Sequence, residues 1–353
     1  MRFVRRAVEP RWLAPVAAGA AVVLTLLLTA GPIRLAGANP LASFERYLLT
    51  PLTTTAGVGE VLLAATPLLF TGLAVAIAFR VGYYNLGAEG QFIVGAIAAS
   101  VPGLYAPDLP AIVALPLALA SGAIGGTAWA VVPAWLKRHA RIDEVVTTLL
   151  LNPVALLALQ GLLTGPWRNS STGFSDSDRF GAGYDLPRLL DGSRVHLGLV
   201  LALALVAVTG VVLAFTPLGL RLRAAWQAPE AARFSGVRVG RLRWRSALVS
   251  GAVAGLGGAS QVLGVGHQLT TSVANGYGYT GVVVATLGAL AAGGVLAVAV
   301  LLGDITVGAQ NASIALQLPS QMGAIVSSTL LLAVVSLLAA RHYRLVLARR
   351  GVR

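Results

Sequence analysis

The sequence predicts an all-α membrane protein, a polytopic bundle of about ten transmembrane helices with a short cytoplasmic helix. Two features of its composition exclude a water-soluble globular domain: 56% of the 353 residues are hydrophobic, and only 11% are charged. The mean hydropathy is +0.79. The few charges are also spaced widely, and the uncharged runs between them can cross a membrane, since about 20 apolar residues span the hydrocarbon core.

Most of these uncharged runs are long enough for one span each, and the two longest, 246–303 and 305–340, must fold back on themselves. We assign two spans to each of the two longest. The ten predicted spans are 12–33, 61–79, 87–104, 109–136, 145–164, 196–216, 246–263, 282–303, 305–318 and 321–340. Segment 305–318 is short and polar, and the count falls to eight if it and one neighbour re-enter the membrane without crossing. The sequence also leaves open whether 264–281 spans or re-enters.

The chain divides into three parts. Its first span follows the basic stretch "MRFVRRAVEPR" and could belong to a cleaved signal peptide, but its apolar stretch is long for one, which favours an uncleaved anchor. Residues 1–57 are therefore predicted to be an anchor span with an extracellular connection. The main transmembrane domain is 58–340, with a loop at 217–245, and 341–353 is a basic cytoplasmic tail.

The basic residues predict that both ends of the chain are cytoplasmic, because Lys and Arg near span ends are retained on that side. Of the 26 basic residues, 20 then lie inside, including all seven arginines of 221–245. The six that lie outside are Arg34, Arg46, Arg168, Arg179, Arg188 and Arg194. The net charge of +13 thus reflects orientation and contact with anionic lipids, and nucleic-acid binding is not expected.

Nothing in the sequence indicates an enzyme. It has no cysteine, its four histidines are scattered, and it contains no GxxxxGK[ST] phosphate loop, so neither a metal site nor an ATP site is expected. The "GYGYTG" at 276–281 follows no predicted strand and predicts a tight re-entrant turn in the extracellular half. A membrane-embedded transferase would need paired acidic residues. The one adjacent pair, Asp143 and Glu144, lies among basic residues and is interpreted as a solvated loop.

Within the basic loop, "APEAARFSG" predicts a helix of about two turns. Pro229 is tolerated in a first turn, Ala and Glu favour helix, and Gly236 ends it. So short a helix needs a surface to dock on. Ala231 and Ala232 are expected to be exposed and small enough for a partner's groove to approach closely, with Arg233 at the rim. The alternative is a basic loop held on lipid headgroups.

The loop and the span after it, "TPLGLRLRAAWQAPEAARFSGVRVGRLRWRSALVSGAVAGLGGA", resemble permease subunits of ATP-binding-cassette importers, in the branch for ribose-type sugars, branched-chain amino acids and nucleosides. The resemblance implies a coupling helix that seats in the ATPase subunit and that includes Pro229, Glu230, Ala231, Ala232, Arg233 and Gly236. Ala228 stands where the family usually has an Asn before Pro, so the usual N-cap is missing.

Two more stretches, "FRVGYYNLGAEGQFIVGAIAA" at 79–99 and "IDEVVTTLLLNPVAL" at 142–156, are similar to nucleoside-type permeases that work with purine-nucleoside-binding lipoproteins. The likeness extends over 58–340. It implies a multi-pass permease of a bacterial plasma membrane that imports nucleosides, with simple sugars as the alternative substrate. The implied partners are an ATPase subunit that binds the ATP, an extracellular substrate-binding lipoprotein and a second, related permease. No cofactor is implied for this chain, and a homodimer stays open beside the expected heterodimer.

Several polar side chains lie in or beside apolar spans, where an unpartnered polar group is costly. Because broken helices tend to line cavities, some of these side chains could line a translocation path: Asn85, Glu89, Gln91 and Asn152. The alternative is hydrogen bonding between helices, which we favour for Thr147, Thr148 and Gln261. The run "GAVAGLGGA" at 251–259 predicts a close helix crossing.

An ion-coupled secondary transporter is a further possibility of a different class. It would need charged coupling groups at the membrane midplane and an inverted repeat. The sequence has few candidate carboxylates and no clear repeat, which favours the permease.

Overall fold

The computed structural model describes residues 2–5, 13–169, 171, 173–189, 192–317, 319, 321–340 and 343–346. They belong to two compact units. One unit contains the residues up to Val58 and those from Asp304 onward, and the other runs from Gly59 to Gly303. The predicted basic tail, 341–353, lies outside the described residues except for 343–346.

The described chain is almost entirely helical. Its α-helices are α1 Leu13–Leu35, α2 Pro40–Leu48, α3 Thr55–Phe79, α4 Ala88–Tyr105, α5 Ala111–Trp135, α6 Glu144–Thr164, α7 Leu197–Phe215, α8 Pro217–Gln227, α9 Pro229–Phe234, α10 Val239–Gln261, α11 Tyr277–Leu287, α12 Ala292–Ala315 and α13 Gln321–Ala340. Single π-helical turns, Leu136–Ala140 and Val262–Gly266, extend α5 and α10. Two short strands, β1 Arg2–Arg5 and β2 Tyr343–Val346, form an antiparallel pair.

The helices confirm a multi-pass membrane protein. In the described part of the chain, six helices are long and apolar enough to cross a bilayer: Thr55–Phe79, Ala111–Ala140, Glu144–Thr164, Leu197–Phe215, Val239–Gly266 and Ala292–Ala315. Eight of the ten predicted spans each coincide with one helix, namely α1, α3, α4, α5, α6, α7, α10 and α13.

The predicted spans 282–303 and 305–318 are wrong in their boundaries. The chain forms one continuous helix, α12, through the expected break at Asp304, because a single carboxylate does not interrupt a helix. It breaks instead after α11, where Ala289 and Leu290 have φ of 52° and 57°. The Nε of Arg80 donates to the carbonyl of Leu290 at 2.8 Å and holds this break. With 11 residues, α11 is about 16 Å long, too short to cross the hydrocarbon core alone.

One end of the Gly59–Gly303 unit gathers basic residues from three connections. The Nε of Arg243 donates to the carbonyl of Val81 at 3.2 Å, and the guanidinium of Arg138 lies 5.7 Å from the ring centroid of Trp244. Lys137 pairs with Glu144, which is buried. The expectation that Glu144 belongs to a solvated loop is therefore wrong, because its carboxylate turns inward onto this pair.

The opposite end of this unit is closed by the connection between α6 and α7, which packs on the chain that follows α10. Three backbone N–H groups donate to backbone carbonyls there: Ser177 to Leu269, Phe180 to His267 and Leu186 to Leu263. His196 caps the start of α7, since its Nδ1 accepts a hydrogen bond from the Gly198 N–H at 3.1 Å.

Close packing through glycine holds α4, α5 and α10 together, as the small-residue run at 251–259 predicts. A Cβ added to Gly95 would lie 2.3 Å from the Cα of Gly255, and one added to Gly126 would lie 2.2 Å from the carbonyl oxygen of Gly251. No side chain fits at these distances, so the helix backbones touch. The prediction of a close helix crossing is confirmed.

In the other unit, α1 and α13 pack against each other. A small apolar cluster forms beside them from Ile33, Tyr47, Ala312, Met322 and Val326. Gly308 permits this packing, because a Cβ there would lie 2.0 Å from the carbonyl oxygen of Tyr47. The pairing of β1 with β2 brings residues 2–5 and 343–346 side by side.

Candidate functional site

The break between α3 and α4 is the polar centre of the Gly59–Gly303 unit. Residues 80–87 are not helical, so their backbone groups need partners that a regular helix would supply. The side chain of Asn152, on α6, supplies such partners at the end of the break and at the start of α4. Its Nδ2 donates to the carbonyl of Leu86 at 3.0 Å, and its Oδ1 accepts from the Gly90 N–H at 3.0 Å. Thr148, one turn earlier on α6, accepts from the Leu86 N–H at 3.3 Å.

A second set of contacts fixes the side of the break that faces α10. Asn85 donates to Gln91 at 2.8 Å and to the hydroxyl of Ser250 at 2.9 Å, and Gln91 donates back to Asn85 at 3.1 Å. Ser250 in turn donates to the carbonyl of Ala74 on α3 at 2.6 Å. Three helices and the break thus share one hydrogen-bonded network, and all of these side chains are buried.

Glu89 joins the break to the start of α11. Its two carboxylate oxygens accept from the backbone N–H groups of Gly276, at 2.9 Å, and of Gly278, at 2.6 Å. No side chain within α11 caps these groups, so Glu89 acts as an N-cap from another helix. Gly278 permits the approach, because a Cβ there would lie 2.0 Å from the backbone nitrogen of Glu89.

The "GYGYTG" stretch makes the tight turn that the sequence predicts, and whether it re-enters the membrane stays a prediction. Gly276, with φ of 77°, makes the turn, and Tyr277 begins α11, which runs on to the end of the unit where Arg80 binds the Leu290 carbonyl. The segment 264–287 combines an irregular connection, which contains a 3-10 turn at Thr271–Val273, with the 11-residue helix α11. The first backbone N–H groups of α11 have no acceptor within the helix itself. This explains why the turn lies against the carboxylate of Glu89.

The structure brings all four predicted path residues, Asn85, Glu89, Gln91 and Asn152, to this one break. Each of them is buried and hydrogen-bonded. Glu89 and Asn152 bind backbone groups, whereas Asn85 and Gln91 bind each other. These contacts are compatible with the alternative interpretation, hydrogen bonding between helices. Lining of a translocation path stays a prediction for all four. Thr148 bonds between helices as predicted, whereas Thr147 bonds to the carbonyl of Asp143 in its own segment.

Sequence reasoning missed Ser250, although it bridges α10 to both Asn85 and α3. The signal available was a lone serine just before the small-residue run at 251–259. Trp129 was missed too: its buried Nε1 has no hydrogen-bond partner and lies 2.8 Å from where a Cβ of Gly90 would be. No group of three His, Cys, Asp or Glu side chains that could hold a metal occurs in the part of the chain that the structure describes.

The short loop helix forms as predicted. It begins at Pro229 and ends at Phe234, and Gly236 follows in the left-handed conformation with φ of 82°. The N–H groups of Gly236 and Val237 donate to the carbonyls of Arg233 and Ala232, which closes the last turn. No side chain caps its start, in agreement with Ala228 at the position where Asn is usual.

The face of this helix that is available to a partner differs from the predicted one. Ala231 is exposed, but Ala232 is only 4% exposed, because it faces the protein where α9 contacts α8 and α10. The expectation that both alanines are exposed is therefore wrong for Ala232. Phe234 is 97% exposed and occupies the free end of the helix, where Glu230 pairs with Arg233 at 2.6 Å.

An aromatic side chain so fully exposed in a basic loop is a candidate contact surface. We call the exposed residues of α9 and its end the loop tip: Glu230, Ala231, Arg233, Phe234 and Ser235. The sequence signal that could have identified it is Phe234 itself, the one large apolar residue in the "APEAARFSG" stretch.

Comparison with known proteins assigns this architecture to one group. The family described as "Branched-chain amino acid transport system / permease component" matches residues 57–335. A guanosine ABC transporter permease protein of Bacillus subtilis is 36% identical over 299 residues, 83% of this chain and 85% of that protein. A glucose ABC transporter permease protein of Haloferax volcanii is 33% identical over 362 residues, 98% and 94% of the two chains. A second guanosine ABC transporter permease protein of Bacillus subtilis is 28% identical over 225 residues, 62% and 70% of the two chains.

Proposed function

The chain belongs to the branched-chain amino acid transport system permease family, and on that premise we propose that it is the membrane-spanning subunit of an ATP-driven importer for nucleosides. The part of this proposal that concerns coupling to an ATPase rests on the loop tip. A six-residue helix ends in a side chain, Phe234, that is 97% exposed beside the charged pair of Glu230 and Arg233, and we expect a soluble partner to cover it. An ATPase subunit is the partner that an ABC permease requires.

Nucleosides are preferred over sugars as the substrate class. The "FRVGYYNLGAEGQ" stretch, which is similar to nucleoside-type permeases, contains Asn85 and Glu89 and forms the hydrogen-bonded break between α3 and α4. The relative named for guanosine is 36% identical. The relative named for glucose matches almost the whole chain at 33%, so simple sugars are the second candidate.

The proposed assembly contains a second, related permease and an extracellular binding lipoprotein. Two guanosine permease proteins of one organism, Bacillus subtilis, both resemble this chain, which supports a pair of different permeases. ATP would bind to the ATPase subunit, and the chain itself would carry no cofactor. The location would be the plasma membrane of a bacterium.

We propose ten membrane crossings with both ends in the cytoplasm. One crossing is not a regular helix: the irregular connection that begins at His267 reaches Glu89 at Gly276, and α11 completes the passage to the basic end, where Leu290 meets Arg80. The paired strands β1 and β2 support an even number of crossings, because they place the two ends of the chain side by side. The loop tip then shares the cytoplasmic side with Arg80, Lys137 and Arg243.

This topology predicts opposite labelling of two introduced thiols. The chain has no cysteine. Ser235, in the loop tip, and Ser175, between α6 and α7, are both exposed, so cysteine should be tolerated at each. In intact cells an impermeant maleimide should label Ser175→Cys fully and Ser235→Cys only after permeabilisation. Labelling of both variants from outside would contradict the cytoplasmic position of the loop.

The substrate is tested by deleting the gene for this chain from the organism that encodes it. Uptake of labelled guanosine should fall to background and return on complementation, while glucose uptake should not change. Uptake in the complemented strain should stop on ATP depletion and persist when the ion gradients are collapsed. Loss of glucose uptake alone would favour the sugar alternative, and guanosine uptake driven by an ion gradient without ATP would favour a secondary transporter.

A further inference from the structure

Four arginines line one cleft beside the loop tip. The cleft has a volume of about 370 Å³ and opens between α8, the end of α9 and the start of α10. Arg241 and Arg245 share a face of α10, Arg238 immediately precedes that helix, and Arg221 lies on α8. The rest of the lining is Leu218, Ser235, Gly236, Val237 and Leu242.

The positive charge of this arginine cleft is not balanced by the protein. Among the residues that the structure describes, none of the four arginines forms a salt bridge, and the nearby carboxylate of Glu230 is taken by Arg233. The first turn of α10 adds to the charge, because no side chain caps it and its free N–H groups carry a partial positive charge. Four neighbouring guanidinium groups repel one another, and an anion bound among them would remove that repulsion.

The surroundings of the cleft indicate which kind of anion binds there. Leu218 and Leu242 form apolar walls, and Phe215, two residues before the start of α8, is strongly exposed. Phe215 is the last residue of the α7 span, and Arg241 and Arg245 lie in the first two turns of α10, so the arginines lie at the level where membrane spans end. A free inorganic anion would not use apolar walls, whereas an amphipathic lipid uses both them and the charge.

We propose that the arginine cleft binds the phosphate headgroup of an anionic phospholipid, with the acyl chains lying along Leu218. Guanidinium groups suit this ligand because they donate paired hydrogen bonds to phosphate oxygens. Bound there, the lipid ties the base of the loop tip to the membrane surface. The site is separate from the hydrogen-bonded break and from Phe234.

The test uses the purified full chain and compares arginines inside and outside the cleft. Phosphatidylglycerol and phosphatidylcholine are supplied in turn, and retained lipid is measured by native mass spectrometry. Wild type should retain phosphatidylglycerol preferentially. Arg241→Gln should weaken its binding by roughly fivefold and Arg241→Gln with Arg245→Gln by about thirtyfold. The matched control is Arg223→Gln, an exposed arginine on α8 that does not line the cleft, and it should retain the lipid as wild type does.

Three outcomes would overturn the proposal. Equal retention of phosphatidylglycerol by wild type and the double variant would show that the cleft does not bind it. Inorganic phosphate that raises the melting temperature as much as phosphatidylglycerol does would identify a free-anion site. If the double variant keeps its lipid but no longer copurifies with the ATPase, the arginines bind acidic groups of that subunit instead.

Discussion

Phe234→Asp is expected to abolish ATP-driven uptake while the protein still inserts into the membrane and keeps its fold. Phe234 contributes nothing to the interior, since 97% of its surface is exposed, so the change should not unfold the chain. In a docked complex, however, a carboxylate would replace an aromatic anchor and be desolvated. Loss of such an anchor typically costs about 2 to 4 kcal/mol, a reduction in ATPase affinity of roughly 30- to 1,000-fold.

The measurements are copurification of the ATPase subunit, stimulated ATP hydrolysis and substrate uptake. Phe174→Asp is the matched control, because Phe174 is also an exposed aromatic but lies in the connection between α6 and α7, at the opposite end of the unit. It should leave ATPase binding unchanged. A Phe234→Asp variant that binds the ATPase and imports substrate normally would show that the loop tip is not the coupling surface.

Ala232 is not suitable for this experiment. The side chain faces α8 and α10, so a charged substitution there would disturb the loop itself, and loss of uptake would not report on docking. Phe234 separates the two effects because it has no packing to lose.

Glu89→Ala is expected to destabilise the protein and to reduce uptake by more than tenfold. The change leaves the buried N–H group of Gly278 and the partly buried N–H group of Gly276 without an acceptor. Leaving buried donors unpaired costs about 1 to 3 kcal/mol each, so a loss of roughly 2 to 6 kcal/mol is expected. The start of α11 should then no longer be held against α4, and the irregular crossing that it completes should be displaced.

Glu89→Gln distinguishes positioning from a direct role in transport. The amide oxygen can accept one of the two hydrogen bonds, so this variant should recover about half of the lost stability and most of the uptake. Thermal unfolding in detergent and uptake in cells are measured together. If Glu89→Gln is as stable as wild type but does not transport, the charge of Glu89 acts in the translocation path and the positioning role is wrong.

The local elements of this protein could be predicted from its sequence because their signals are local. Eight spans coincide with single helices, since each is an apolar run bounded by charges. The loop helix begins at Pro229 and is followed by Gly236 in the left-handed conformation, because these residues have strong intrinsic backbone preferences. The polar residues of the α3–α4 break were identified as a group because buried polar side chains are rare in apolar spans.

The helix boundaries and exposed faces that local signals do not determine depend on tertiary contacts. The break near Leu290 depends on Arg80, 210 residues away in the chain, and the start of α11 depends on Glu89, so no local pattern could predict where 264–318 divides into α11 and α12. Nor could the sequence show that Ala232 faces inward and Phe234 outward, since a six-residue helix is too short to establish a hydrophobic face. Helix formation follows from each segment's own residues, whereas the partners of buried polar groups, and the face a short helix presents, are settled only when distant segments pack together.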